Sequence, residues 1–161
     1  MYVIIGAVGM DESPRNQASD RACEAFPLLG DRQFMKAVQE NPVGFVSPNL
    51  VREDRRRLVG APTTRTAAEF IEQLETWFNL SDTPPIFSVV EVVAVRGELS
   101  ALVRCRVSYG DKGSEFLNVL RNDANGQTER SVLFDPDDVD AAVAELDRIH
   151  AECDDPLETR S

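Results

Sequence analysis

The densest chemistry in this chain is the charged run Arg52-Glu53-Asp54-Arg55-Arg56-Arg57. Side chains on an extended strand alternate sides, so Arg52, Asp54 and Arg56 share one face and Glu53, Arg55 and Arg57 the other. One of those faces must be solvated. The other could present Asp54 and Arg56 as a carboxylate–guanidinium pair on the wall of a ligand cavity. The plainer reading is a strand whose charges guard it against edge-to-edge aggregation. Phosphate or nucleic-acid binding finds less support, because Glu53 and Asp54 cancel much of the positive charge.

A second group could shape a pocket. Trp77, Tyr109 and Phe116 are candidate ligand-contacting walls, with Asn118 on the same face of its strand as Phe116. Aromatic residues at such spacing are more often ordinary core than ligand contacts. The other chemical signals are incomplete. His150 is the only histidine, and its place near the end of a helix suits a surface cation beside the dipole. A histidine-rich metal site is thereby excluded, and no Ser–His–Asp or Cys–His pairing is indicated. Asp135-Pro-Asp-Asp-Val-Asp140 and the Asp123–Gly126 turn imitate parts of a calcium loop, but each lacks required ligands. Gly6 and Gly9 follow an apolar run without completing a dinucleotide-binding glycine pattern. No metal and no cofactor are expected.

Composition narrows the partners. Acidic residues outnumber basic ones by 28 to 17, for a formal net charge of -11. Long-range repulsion then disfavours both nucleic acid and anionic membrane surfaces. The apolar start of the chain is too short to span a bilayer and lacks the basic segment of a signal peptide. Three scattered cysteines form no disulfide framework, so reduced thiols and a cytoplasmic location are expected.

The elements that must position these residues are legible in part. Polar residues 11–17 break the chain, and two short helices follow at 19–29 and 31–40, divided by Pro27 and Gly30. Turns at Asn41-Pro42 and Ser47-Pro48-Asn49 precede a strand at 50–59. The periodicity of Phe70, Ile71, Leu74, Trp77 and Phe78 predicts a helix over 67–79, opened by a Thr66–Glu69 capping box. The period then changes to two. Strands at 87–95, 99–109, 114–121 and 128–134, joined by glycine-bearing turns, make an antiparallel meander. A final helix follows, with Asp135 as N-cap and Pro136 at its first position. The expected organisation is an N-terminal arm (1–18), one α+β domain (19–153) and a polar tail (154–161).

Helices, one strand, a helix and a four-strand meander form the element order of NTF2-like (SnoaL-like) proteins, and the motifs agree. Arg96-Gly-Glu-Leu-Ser-Ala-Leu-Val-Arg104 resembles that family's hairpin, and Asp123-Ala-Asn-Gly-Gln-Thr-Glu-Arg130 its turn into the last strand. Phe134-Asp-Pro136 resembles the ending of that strand, and Asp54-Arg55-Arg56 a polar motif on the first. The resemblance covers roughly 45–150 and is nearest to modules found alone or appended to bacterial regulatory proteins. Residues 1–40 match poorly, so the family's first helix is expected to be divergent or partly missing. The resemblance implies a cone: a curled antiparallel sheet packed on two or three helices, with a C-terminal helix and an apolar pocket.

Fold alone does not choose a function. The leading expectation is a non-catalytic module that binds a small apolar ligand, self-associates, or both. The alternative is a SnoaL-like cyclase or isomerase acting on a polyketide- or steroid-like substrate. There Asp54 would be the general base, Arg56 its charge partner, and Tyr109 or Asn118 the donor to an oxyanion. A paired arginine argues against a strong base. The positions that would align with the two carboxylates of epoxide hydrolases of this fold hold Arg106 and Val132, which removes that chemistry. Strict alternation places Phe87, Val89 and Val93 on one face of the first meander strand and Ile86, Val90 and Val92 on the other. A strand apolar on both faces needs cover on both. A homodimer through the sheet is one source of cover, and residues 1–40 folding over the second face is the other.

Overall fold

Backbone hydrogen bonding organises the meander, and the helices fill in around it. The computed structural model describes residues 14–40, 46–57, 62–79 and 85–153. Within them, α1 spans Gln17–Ala25, a 3₁₀ turn Phe26–Gly30, α2 Arg32–Glu40, β1 Val46–Asp54 and α3 Ala67–Asn79. The meander follows as β2 (Ile86–Arg96), β3 (Ser100–Tyr109), β4 (Lys112–Asn122) and β5 (Thr128–Phe134), and α4 spans Val139–Cys153. The five strands form one sheet in the order β1-β5-β4-β3-β2. All meander pairs are antiparallel, whereas β1 joins β5 in parallel. Gly97, Gly110 and Gly126 adopt φ of 55, 62 and 80° at the three meander turns, which is the conformation those turns require of glycine.

The sheet has a helix layer on each side. On the concave face, Ala22, Leu29, Met35, Ile71 and Leu74 pack against Phe87, Val103, Cys105, Phe116 and Leu133. On the convex face, Ala142, Leu146 and Ile149 of α4 pack against Leu102, Leu117, Val119, Val132 and Phe134. The α+β class and the C-terminal helix agree with expectation. No helix among the described residues is long and apolar enough to cross a membrane.

Several local expectations are corrected. The poorly matching N-terminal segment is, over its described part, divergent in sequence yet packed into the fold, with Ala22, Leu29 and Met35 in the concave core. Asn16 makes a capping box with Ser19, and its Nδ2 also donates to the carbonyls of Gly97 and Ser100 at 3.0 and 2.8 Å. One side chain therefore caps α1 and pins it to the β2–β3 hairpin. Residues 58 and 59 of the strand expected at 50–59 lie outside the described residues; the first strand begins at Val46 and ends at Asp54, with 55–57 outside it. Ser47-Pro48-Asn49 lies inside it, where the register shifts between Val46 and Val51; an edge strand tolerates proline at such an irregularity. Helix α4 starts at Val139, because Asp135-Pro136 forms a preceding turn in which the Asp138 N–H donates to the Asp135 carbonyl at 3.0 Å. The Asp135 carboxylate accepts from the Arg57 backbone N–H instead of capping α4. Strict alternation on β2 fails too. Register shifts fall between Val89 and Glu91 and between Val92 and Ala94, so Phe87, Val89 and Val92 join the concave core while Val93 and Ala94 join the convex one.

Candidate functional site

Side-chain alternation on β1 and β5 turns polar groups into the concave side. Register pairs Arg52 with Ser131 and Asp54 with Leu133, and β4 brings Asn118 opposite Leu133. Between this part of the sheet and the helices lies a cavity of ≈ 70 Å³. Its lining is mostly apolar: Phe26, Leu29, Val46, Leu50, Phe70, Leu74, Phe87, Phe116, Leu120 and Leu133. Arg52, Asn118, Thr128 and Ser131 supply the polar part.

These polar groups are held in set positions. Ser131 Oγ donates to Asn118 Oδ1 at 2.8 Å, which leaves the Asn118 amide Nδ2 with no acceptor among the described residues. Arg52 Nη1 donates to Gln73 Oε1 at 3.1 Å, while Gln73 Nε2 donates to the Pro62 carbonyl at 2.9 Å. The Arg52 guanidinium also lies 5.5 Å from the centre of the Phe70 ring. Burial pushes Arg52 down to about 10; Asp54 counteracts the shift and Arg56 adds to it. Arg52 remains a cation at neutral pH, and the shift records incomplete compensation of its charge.

Asp54 and Arg56 meet, as their face predicts, but chiefly with each other. The chain turns after Asp54, whose Oδ1 accepts from the Arg56 backbone N–H at 3.1 Å, a local side-chain turn. The guanidinium then folds back, with Nε to Oδ1 at 2.8 Å and Nη2 to Oδ2 at 2.6 Å. The side chains are 7% and 0% exposed for Arg56 and Asp54. Neither residue lines the cavity. The pair is joined to the cavity wall through Phe116, whose ring centre lies 5.2 Å from the Arg56 guanidinium.

Of the other residues singled out by sequence, Phe116 and Asn118 line the cavity. Trp77 belongs to α3 and Tyr109 to β3, and their side chains lie outside the described residues. Arg52 was missed as a site residue. The signal for it was present in the alternation that selected Asp54 and Arg56, yet sequence could not say that the chain turns after Asp54 and leaves Arg52 as the cavity's cation. The outward face of the same run is structural. Arg55 donates to Glu53 and to Glu145 of α4, both at 2.9 Å, and Arg57 is held by Asp135, Asp137 and Asp138. Among the described residues no cluster of three or more His, Cys, Asp or Glu could hold a metal ion.

Comparison with known proteins places this geometry on a known fold. No protein-family profile matches the chain, and no curated protein matches it by sequence. Solved structures do. A putative isomerase of the SnoaL-like family from Agrobacterium tumefaciens str. C58 is 11% identical, over 73% of this chain and 96% of that one, with a TM-score of 0.59. A putative ketosteroid isomerase from Kribbella flavida DSM 17836 is 16% identical, over 75% and 78%, with a TM-score of 0.54. An NTF2-like protein of unknown function from Exiguobacterium sp. 255-15 is 15% identical, over 75% and 98%, with a TM-score of 0.53. At these identities the likeness shows the NTF2-like fold and nothing finer.

Proposed function

We propose that this chain, which has the NTF2-like fold, is a non-catalytic module that binds a small, largely apolar ligand within its cone. The carrying observation is an apolar cavity on the concave face beside an aspartate already committed to an arginine. A general base must reach the proton that it abstracts. Asp54 accepts three hydrogen bonds from Arg56 and stands outside the cavity lining, so the isomerase or cyclase reading lacks its base. Binding asks less of the site: apolar walls for affinity and a few fixed polar groups for orientation.

Leu50 is fully buried and lines the cavity, so Leu50→Phe should fill much of it, at an overpacking cost of about 1–3 kcal/mol. Small apolar molecules should raise the melting temperature of the wild type and leave that of Leu50→Phe unmoved. Equal shifts in both proteins would refute the cavity as the binding place.

We also propose that the chain self-associates through its sheet, working in the cytoplasm with Cys23 and Cys105 reduced. Ile86 and Val90 on the edge strand β2 are 65% and 46% exposed; of the described β2 residues, Val93 and Ala94 are the ones packed in the convex cluster with α4. A second copy related by a two-fold axis is the simplest cover. A mass near 17.9 kDa by light scattering, independent of concentration, would exclude it.

A further inference from the structure

We infer that the ligand carries a carboxylate, and that Arg52 and Asn118 receive it while a short hydrocarbon tail fills the apolar end of the cavity. This inference rests on the reading of the cavity as a ligand site.

The argument begins with charge. Arg52, Asp54 and Arg56 lie together at the start of the sheet's concave side and act on one another electrostatically. They comprise two guanidinium groups and one carboxylate. Arg56 takes both carboxylate oxygens of Asp54, at 2.8 and 2.6 Å. Arg52 is left with a neutral partner, Gln73, on Nη1 and the face of Phe70. Its Nε and Nη2 donate to no described residue. A half-buried cation with free donors in apolar surroundings is costly, and an anion both compensates the charge and accepts those donors.

Hydrogen-bond polarity points the same way. Asn118 is 4% exposed and lines the cavity; its oxygen is taken by Ser131, so what it offers the cavity is an N–H donor. Arginine has donors only. The site therefore presents donors without a competing acid, which suits a carboxylate and does not suit an amine. Size sets the tail. The cavity of ≈ 70 Å³ is under half of the ~150 Å³ that accommodates a benzene ring, which limits the ligand to about three to five carbons.

The test compares isobutyrate with isobutyramide, a neutral molecule of nearly the same shape, by titration followed in backbone amide spectra of the whole chain. The acid is expected to bind the wild type at least tenfold more tightly, shifting residues 116–120 and 131–133. Arg52→Met should bring the ratio near one, weakening the acid far more than the amide, and Arg52→Lys should retain part of the preference. Should neither variant fold, the wild-type ratio alone decides. Equal binding of acid and amide to the wild type, or an unchanged ratio in folded Arg52→Met, overturns the carboxylate assignment but leaves the ligand cavity standing. If neither molecule binds and larger apolar molecules also fail to, the cavity reading itself falls.

Discussion

Removing one member of the Asp54–Arg56 pair tests the separation between buried scaffold and ligand cavity. Asp54→Ala deletes the acceptor of two side-chain hydrogen bonds, at 2.8 and 2.6 Å, and leaves Arg56, 7% exposed, with an uncompensated charge. Breaking a buried pair from one side costs about 3–5 kcal/mol. For a chain of 161 residues, that corresponds to a fall in melting temperature of about 6–20 °C. Replacing both members by apolar residues of similar volume, Asp54→Leu with Arg56→Met, should recover most of the loss, since no charge is then stranded. Urea unfolding followed by circular dichroism gives the three free energies and, with Asp54→Leu and Arg56→Met each made alone, closes a double-mutant cycle. A loss below about 1 kcal/mol in Asp54→Ala, the level of an exposed ion pair, would refute the burial on which this reasoning depends.

Other outcomes follow from neighbouring contacts. Asn16→Ala removes the cap of α1 and orphans the carbonyls of Gly97 and Ser100; a loss of about 1–2 kcal/mol, with faster hydrogen exchange confined to α1 and the β2–β3 hairpin, is expected. Leu102→Ala, at a fully buried position beneath α4, should cost about 2–5 kcal/mol in urea unfolding. Burial raises the Glu145 carboxyl pKa, but hydrogen bonds and charge from Arg148 and Arg55 outweigh that and leave it lowered. Its contribution is therefore present above the ordinary carboxylate range and lost as pH falls through its own lower value. Glu145→Gln should accordingly be less stable than wild type at pH 7, with the gap closing on acidification. Ile86→Lys should shift the particle mass toward the monomer if the exposed end of β2 is the contact.

Legibility in the sequence followed the physics of each segment. The helix at 67–79 reads correctly because its apolar stripe and its Thr66 cap are both local signals; Thr66 Oγ1 accepts from the Glu69 N–H at 3.1 Å. Even there, Glu69 reaches the Arg65 N–H rather than that of Thr66. The meander was legible because glycine at its turns is a backbone requirement. The two bulges of β2 were not, since they answer to curvature of the whole sheet rather than to any residue of the strand. Pro48 suggested a turn and proved to sit in an edge strand, whose partner β5 lies about eighty residues onward. The same limit applies to the site. Alternation put Arg52, Asp54 and Arg56 on one face, but which arginine would claim the carboxylate depended on the turn at Asp54.

The central claim is that the cone holds a ligand and that Asp54 is not its base. A crystal structure of the chain soaked with a small apolar acid tests both halves at once. Density enclosed by Leu74, Phe87, Phe116 and Leu133, with its polar end at Arg52 and Asn118 and the Asp54–Arg56 pair intact, is the expected result. Density with Asp54 turned away from Arg56 and in contact with the ligand would contradict the account, as would an empty cavity with the ligand bound elsewhere.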